Sequence, residues 1–254
     1  GGVLIASVGW QAIFLINLPL GLLNAALVWR CLPADEPRTS TGFDLPGTLL
    51  LAQTLGCFAL AMTWGQGALL MPAAVAAVLF IWRQVRARAP LIRLQLLRSR
   101  QLSAGLCMTL LVSTVIMSTL VVGPFYLSQG LGLDPLAVGL ALSAGPCVAA
   151  LCGVPAGRLV DRRGAPAMTR AGLLGMACAS TLLALLPLEV GIVGYLAPIL
   201  LLTASYALFQ AANNSRIMGA IDAQQRGVVA GLLSLSRNLG LISGTAVMGS
   251  VFAL

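Results

Sequence analysis

Five polar side chains recur at helical spacing inside one apolar run, and they are the first candidates for chemistry in this sequence. The run is 191–215, and the five fall within one arc of about 100° of a helix: Thr203, Tyr206, Gln210, Asn213 and Asn214. Such hydroxyl and amide groups exchange hydrogen bonds with a bound solute or with another helix. The stripe therefore predicts either the lining of a polar pathway or interhelical hydrogen bonds that only stabilise the packing.

Two other apolar runs also contain polar groups. Arg237 in the run 228–252 follows Arg226 by eleven residues, or about 16 Å along a helix. Because a charge in an apolar medium is costly, Arg237 indicates function, with a snorkelling or carbonyl-paired structural arginine as the alternative. In the run 10–32, Asn17 shares a helix face with Asn24, and Pro19 between them predicts a kink. A polar hinge and a structural kink with hydrogen-bonded asparagines are both open there.

Small residues spaced four apart accompany Arg237. One pair is Gly227 with Gly231, and the other is Gly240 with Gly244. Glycines at this spacing let two helix backbones approach closely, so both pairs predict helix packing.

The acidic residues are informative because of their placement. The chain has seven of them and no histidine. All seven lie in gaps between apolar runs or at the ends of runs: Asp35, Glu36, Asp44, Asp134, Asp161, Glu189 and Asp222. An enzyme would need a nucleophile with its base or a set of metal ligands, and neither pattern is present. We therefore expect no enzymatic activity, no cofactor and no metal, and we expect any proton-binding carboxylate to lie outside this stretch of sequence.

The composition excludes a water-soluble domain. Of the 254 residues, 59% are hydrophobic and only 9% are charged, and the mean hydropathy is +0.96. Soluble domains carry about a quarter charged residues. The net charge is +8, but most of the arginines lie in gaps between apolar runs or near the ends of runs, and they form no stripe with aromatic residues. The lipid bilayer is therefore the expected partner, and no nucleic acid is expected.

Eight apolar runs are long enough to cross a bilayer, so the sequence predicts an all-α, polytopic membrane protein. The predicted spans are 10–32, 44–66, 69–86, 102–127, 137–157, 167–187, 191–215 and 228–252. Arginine-rich gaps alternate with gaps that contain no arginine, which places the arginine-rich gaps on the cytoplasmic side. Residues 90–100 mix leucine with arginine, which fits an amphipathic segment in the headgroup layer or a plain cytoplasmic loop.

Several of these segments resemble signatures of one family. The segment 157–164 (GRLVDRRG) looks like the second-half copy of the loop motif of the major facilitator superfamily. The segment 10–21 (WQAIFLINLPLG) resembles the sixth-span signature of its fourteen-span drug:proton antiporter branch, although Gln11 stands where that branch commonly has arginine. Further matches are 43–47 (FDLPG), 126–129 (YLSQ), 209–214 (FQAANN) and 226–240. Together these segments cover the whole chain in order.

The resemblance implies a partial major facilitator fold, from the end of span five to span thirteen. Residues 1–32 would hold the tail of span five and span six, the end of the N-terminal six-helix half. Residues 33–100 would be a linker region with two extra spans and the cytoplasmic amphipathic segment. Residues 101–254 would be the C-terminal half with spans nine to thirteen, without span fourteen.

The resemblance also implies a function. It is that of a secondary active transporter in the bacterial inner membrane, a multidrug efflux permease that exchanges drug-like or amphipathic molecules for protons by alternating access. The substrate pathway would include Asn17, the stripe on 191–215 and Arg237. A periplasmic adaptor of a tripartite efflux system is a further partner that the resemblance allows. The alternatives are a metabolite or sugar carrier of the same superfamily and a carrier-derived sensor or scaffold that does not transport.

The loop motif has its own implied role. Asp161 could pair with Arg158, Arg162 or a neighbouring helix N-terminus and latch one conformation of the transporter. Gly157 and Gly164 would bound this loop. The alternative is a tight, solvated loop that is oriented by its positive charge.

Overall fold

The protein is all-helical wherever the structure describes it. The computed structural model describes residues 11, 15, 17–31, 44–87, 91–92 and 94–252. Within these residues there are eight α-helices and no β-strand: α1 (Asn17–Cys31), α2 (Leu45–Trp64), α3 (Leu70–Arg86), α4 (Arg100–Phe125), α5 (Pro135–Arg163), α6 (Ala165–Leu185), α7 (Gly191–Gly219) and α8 (Arg226–Phe252). Seven helical segments in this part of the chain are long and apolar enough to cross a membrane. The prediction of an all-α, multi-pass membrane protein is confirmed.

Helices α4 to α8 form a bundle with α7 near its centre. Helix α7 packs against α5 and α6, and α4 packs along α8. One core cluster joins Val112 of α4, Met176 of α6 and Phe209 of α7. Small residues permit the close approach: a Cβ atom on Gly172 would lie 2.8 Å from the backbone nitrogen of Phe209. This agrees with the rule that membrane helices associate through small residues and tight packing, since lipid is as apolar as the side chains.

Helices α2 and α3 form a hairpin that contacts α8 through α2. Gly65 ends α2 in the left-handed region with a φ of 65°, which a glycine adopts without strain. A short 3₁₀ turn, Gly67–Leu69, then leads directly into α3. The hairpin brings the start of α2 and the end of α3 to the same side of the molecule.

Two helices continue beyond the apolar runs that predicted them. The predicted spans 137–157 and 167–187 leave 158–166 as a connecting loop, but α5 continues to Arg163. Likewise α7 continues to Gly219, past the predicted end at 215. An arginine-rich stretch indicates where the chain leaves the hydrocarbon. The helix can continue beyond that point because its backbone hydrogen bonds also form in water. The expectation of a loop over 157–164 is therefore wrong for 157–163, and Gly164, with a φ of 84°, is the break between α5 and α6.

The segment that was predicted to be amphipathic contains a 3₁₀ helix, Leu94–Arg98. Leu96 packs against a cluster formed by Leu102 of α4, Ile217 of α7 and Val229 of α8. Leu96 thus rests on the ends of three helices. Its placement in the headgroup layer stays a prediction.

Candidate functional site

The first part of the site is a pair of adjoining cavities beside α7. A cavity of about 200 Å³ lies between α4, α5 and α7, where its lining includes Thr203, Tyr206 and Gly145. A second, of about 370 Å³, lies between α4, α6 and α7. Thr119 and Tyr195 line both cavities. The walls are mostly apolar, with a few hydroxyl-bearing side chains.

The second cavity was not predicted from the sequence. Its polar lining consists of hydroxyl groups on α4, α6, α7 and the turn after α4: Thr114, Ser118, Thr119, Tyr126, Ser180 and Tyr195. The rings of Tyr126 and Tyr195 stack with their centroids 5.7 Å apart. Gly123 makes room for the hydroxyl of Tyr195, because a Cβ atom there would overlap it. The sequence shows Gly123 three residues before Tyr126, but it gives no sign that the glycine accommodates Tyr195 of another helix.

The second part of the site is a contact between α7 and α8. The side-chain amide of Gln210 lies against the guanidinium of Arg237; when the amide is oriented with its oxygen toward Arg237, that oxygen accepts from Nε at 3.3 Å and from Nη2. Both side chains are half-buried. Gln210 lies five residues before the end of the predicted span at 215, and Arg237 lies nine residues after the start of the predicted span at 228, so they are about 8 Å and about 14 Å from the span ends. The guanidinium therefore lies within the apolar part of the bundle, away from the ends of both spans.

Asn213 belongs to a different contact from the rest of the predicted stripe. Its amide donates to the carbonyl of Gly105 at 3.2 Å and to Oγ1 of Thr109 at 3.0 Å, both on α4. The side chain is only 1% exposed. The expectation that Asn213 lines a pathway is wrong in this structure, and the alternative of an interhelical hydrogen bond applies to it. An arc of about 100° is wide enough to face two different neighbours.

The remaining candidates for the pathway are less enclosed. Thr203 donates its hydroxyl to the carbonyl of Ile199 on its own helix at 2.8 Å. Asn214 is half-buried on α7. Asn17 is exposed at the start of α1, a helix with no buried residue in its described range. The structure thus places Thr203 and Tyr206 at a cavity, Gln210 on Arg237, and Asn17 away from both.

The two predicted glycine pairs of α8 have different surroundings. A Cβ atom on Gly240 would overlap the carbonyl oxygen of Leu110, and one on Gly244 would lie 2.5 Å from that of Thr114. These two glycines form the seam between α8 and α4. Gly227 and Gly231 are exposed, and no atom lies within 4 Å of their Cβ positions. Among the described residues, Gly227 and Gly231 therefore have no packing partner, because α4 covers the opposite side of α8, and their packing role stays a prediction.

A buried carboxylate at the start of α2 was not singled out from the sequence as a site. Asp44 caps α2 by accepting from the backbone nitrogen of Gly47 at 3.2 Å. Its Oδ1 also accepts from Nη2 of Arg83 at 3.2 Å, and its Oδ2 accepts from Nε2 of Gln84 at 3.2 Å. Gln84 in turn accepts from the backbone nitrogen of Ile92. Burial raises the pKa of Asp44, but the hydrogen bond from Gly47 and the contacts with Arg83 and Gln84 outweigh it and hold the pKa below its ordinary value.

Comparison with known families decides the class of this helical bundle. Residues 1–245 match the sequence profile of the Major Facilitator Superfamily. The chain belongs to the major facilitator superfamily.

Individual relatives support the superfamily assignment. The chain is 33% identical to the uncharacterized transporter YebQ of Escherichia coli K12 over 94% of its length, covering 54% of that protein. It is 29% identical to the riboflavin transporter RibZ of Clostridioides difficile over its whole length, covering 56%. It is 31% identical to the tetracenomycin C resistance and export protein of Streptomyces glaucescens, covering 49%. The chain thus spans about half the length of the relatives that it matches.

The superfamily loop motif is exposed in this structure. Arg158, Asp161 and Arg162 all lie on the solvent-facing end of α5. Among the described residues, Asp161 forms no ion pair with either arginine. The ion pair that these residues do form joins Arg83 to Asp44, outside the motif. The expected pairing within the motif is therefore absent from this conformation, because a helical backbone spreads these side chains over a solvated surface. Gly157 has open space around its Cβ position, and Gly164 supplies the positive φ at the junction with α6.

Proposed function

We propose that the chain is part of a secondary active transporter that exports drug-like or amphipathic molecules by alternating access. The observation that carries this proposal is the pair of adjoining cavities beside α7, with mostly apolar walls and a few hydroxyl groups. Ligand sites for small molecules have this character: a largely apolar lining and a small number of polar groups that orient the ligand. An amphipathic molecule could bury its apolar body there and satisfy its polar groups on Thr119, Tyr195 and Tyr206.

Two kinds of relative support two candidate substrates. The tetracenomycin C resistance and export protein, and the multidrug resistance protein Stp of Mycobacterium tuberculosis at 28% identity over the whole chain, favour drug export. The riboflavin transporter RibZ favours a metabolite carrier of the same superfamily. The apolar cavity walls support export of amphipathic compounds over transport of sugars, which would need more hydrogen-bonding groups.

Proton antiport in the bacterial inner membrane completes the proposal. In the described residues, the acidic side chains lie at helix ends or in the connections, as with Asp44 at the start of α2 and Asp161 near the end of α5. The proton-binding carboxylate of an antiporter is therefore expected outside the described residues. A small-molecule substrate, protons and lipid would be the principal partners, with a periplasmic adaptor as an additional candidate.

The experiment uses the full polypeptide that the gene encodes, expressed in a bacterial strain without its main efflux pumps. Cells are loaded with ethidium, and efflux is followed by fluorescence before and after a protonophore collapses the pH gradient. We expect efflux that stops when the gradient is removed. Efflux that continues unchanged would refute proton coupling, and uptake of riboflavin without dye efflux would favour the metabolite carrier.

A further inference from the structure

Arg237 carries a positive charge within the apolar part of the bundle, without a matching negative charge nearby among the described residues. Within the described residues, no carboxylate lies within 4.0 Å of its guanidinium. The ion pair that these residues do form joins Arg83 to Asp44 in the α2–α3 hairpin. The neighbour of Arg237 that does accept from it is a neutral amide, that of Gln210. A charge at this depth is costly and needs a partner.

Gln210 also fixes where the guanidinium lies. Its oxygen accepts from Nε and Nη2. This contact holds the guanidinium at the level of Gln210 and opposes its extension toward the headgroups. A guanidinium has five N–H donors in a planar fork. The contact with Gln210 uses the edge formed by Nε and Nη2. The other edge, formed by Nη1 and the second N–H of Nη2, remains for an acceptor with two oxygen atoms.

The residue that contacts the guanidinium, Gln210, lies one helical turn along α7 from the smaller cavity. Gln210 follows Tyr206 by four residues on α7, so the two side chains are on the same face, one turn apart. Tyr206 lines the cavity of about 200 Å³ between α4, α5 and α7. A molecule that filled this cavity with an apolar group and extended one turn along α7 would reach Gln210, the residue that contacts Arg237.

We propose that Arg237, oriented by Gln210, binds the carboxylate of the transported molecule, and that the preferred substrates are amphipathic organic acids. This inference rests on the transport function proposed above and specifies its substrate class. A carboxylate offers two oxygens in the geometry that a guanidinium matches with paired, charge-assisted hydrogen bonds. The apolar body of the acid would occupy the cavity at Tyr206.

The test measures binding of matched pairs of probes by equilibrium dialysis, with the full polypeptide purified in detergent. The pairs are naphthaleneacetate with naphthaleneacetamide, and dodecanoate with dodecanamide, which differ in charge and little in size. We expect the wild-type protein to bind each acid about tenfold more tightly than its amide. Arg237→Gln should bring this ratio to about one and leave amide binding within about twofold, since it removes the charged fork alone.

Two further variants guard against a folding defect in Arg237→Gln. Arg237→Lys keeps the charge and loses the fork, so it should keep a reduced preference for the acid. Gln210→Ala should weaken acid binding several-fold and leave amide binding unchanged. Arg226→Gln, at the exposed start of the same helix, is the matched control and should keep the wild-type ratio.

Three results would overturn the inference: no preference for either acid in the wild-type protein, a preserved preference in Arg237→Gln, or an equal loss of acid and amide binding. Stronger acid binding in Arg237→Gln would instead show that a carboxylate elsewhere in the polypeptide occupies Arg237. Ethidium efflux in the presence and absence of a pH gradient tests the transport function separately. The two proposals can therefore fail independently.

Discussion

Asp44, the capping residue of α2, and Arg83, in the last turn of α3, form an ion pair with Oδ1 and Nη2 3.2 Å apart. Gln84 binds the other carboxylate oxygen and also binds the backbone of Ile92. The network therefore ties three segments together: the start of α2, the end of α3 and the chain that leads to α4. It joins the linker region to the bundle on the arginine-rich side.

The first prediction concerns pH. Because the pKa of folded Asp44 is held below its ordinary value, its stabilising contribution is complete above the unfolded pKa of about 3.9 and is lost as the pH falls through the lower folded value. Thermal unfolding in detergent should show a higher midpoint for wild type than for Asp44→Asn at pH 7. This difference should shrink as the pH approaches 3. Asp134→Asn, at an exposed helix start without a side-chain cap, should show a much smaller difference at pH 7.

The second prediction concerns the glycine beneath this carboxylate. A Cβ atom on Gly47 would lie 2.6 Å from Nε2 of Gln84 and would overlap the carboxylate of Asp44. Gly47→Ala should therefore lower the unfolding midpoint. Gly56→Ala on the same helix meets nothing within 4 Å and should be neutral or stabilising by up to about 1 kcal/mol. Equal midpoints for the two variants would show that the network tolerates displacement.

The third prediction separates the two glycine pairs of α8. Gly240→Ala should destabilise the protein by about 1–3 kcal/mol, because the methyl group would push α8 away from the carbonyl of Leu110. Gly231→Ala faces open space and is the control. Unfolding by a denaturing detergent, followed by tryptophan fluorescence, measures both. A loss of stability in Gly231→Ala as large as that in Gly240→Ala would place a packing partner on the exposed side of α8.

The fourth prediction tests the smaller cavity. Gly145 lines it, and its Cβ position is 3.7 Å from Oγ1 of Thr203. Gly145→Leu should fill part of the cavity and reduce dye efflux at least about tenfold, with normal amounts of protein in the membrane. Gly153→Leu, also on α5 but with nothing within 4 Å, should keep efflux. Full activity in Gly145→Leu would exclude this cavity from the pathway.

The fifth prediction addresses the proposed latch. Asp161 is exposed and unpaired among the described residues, so any latch must form with another conformation or another part of the polypeptide. Asp161→Asn should slow efflux without changing membrane insertion. Asp222→Asn, at an exposed position between α7 and α8, is a control that should leave the rate unchanged. If Asp161→Asn transported at the normal rate, the motif would be a solvated helix end only.

The positions of α2 to α8 could be predicted because apolar runs of membrane length alternate with polar gaps. Their ends could not, because hydropathy reports the depth in the bilayer and not the continuity of helical hydrogen bonding. Arg163 and Gly219 are both helical residues in segments whose composition is typical of loops. The glycine at position 164 was the better signal in the sequence for the break, and the structure gives it a φ of 84°.

Contacts between elements were harder to predict than the elements. Asp44 and Arg83 are 39 residues apart, and their pairing depends on the geometry of the turn at Gly65. On α7, Gln210 and Asn213 lie on one predicted stripe, yet one contacts α8 and the other contacts α4. Periodicity identifies the residues that share a face, but the neighbouring helices decide which of them meet a partner and which remain at a cavity.

The single-residue junction at Gly164 has a consequence for the surrounding lipid. Because α5 and α6 meet there without a loop, the exposed arginines of both helices are gathered at one edge of the bundle: Arg158, Arg162, Arg163 and Arg170. Each basic residue at a membrane surface attracts anionic phospholipids by about 1 kcal/mol. This corner of the protein should therefore collect a shell of acidic headgroups and resist displacement along the membrane normal.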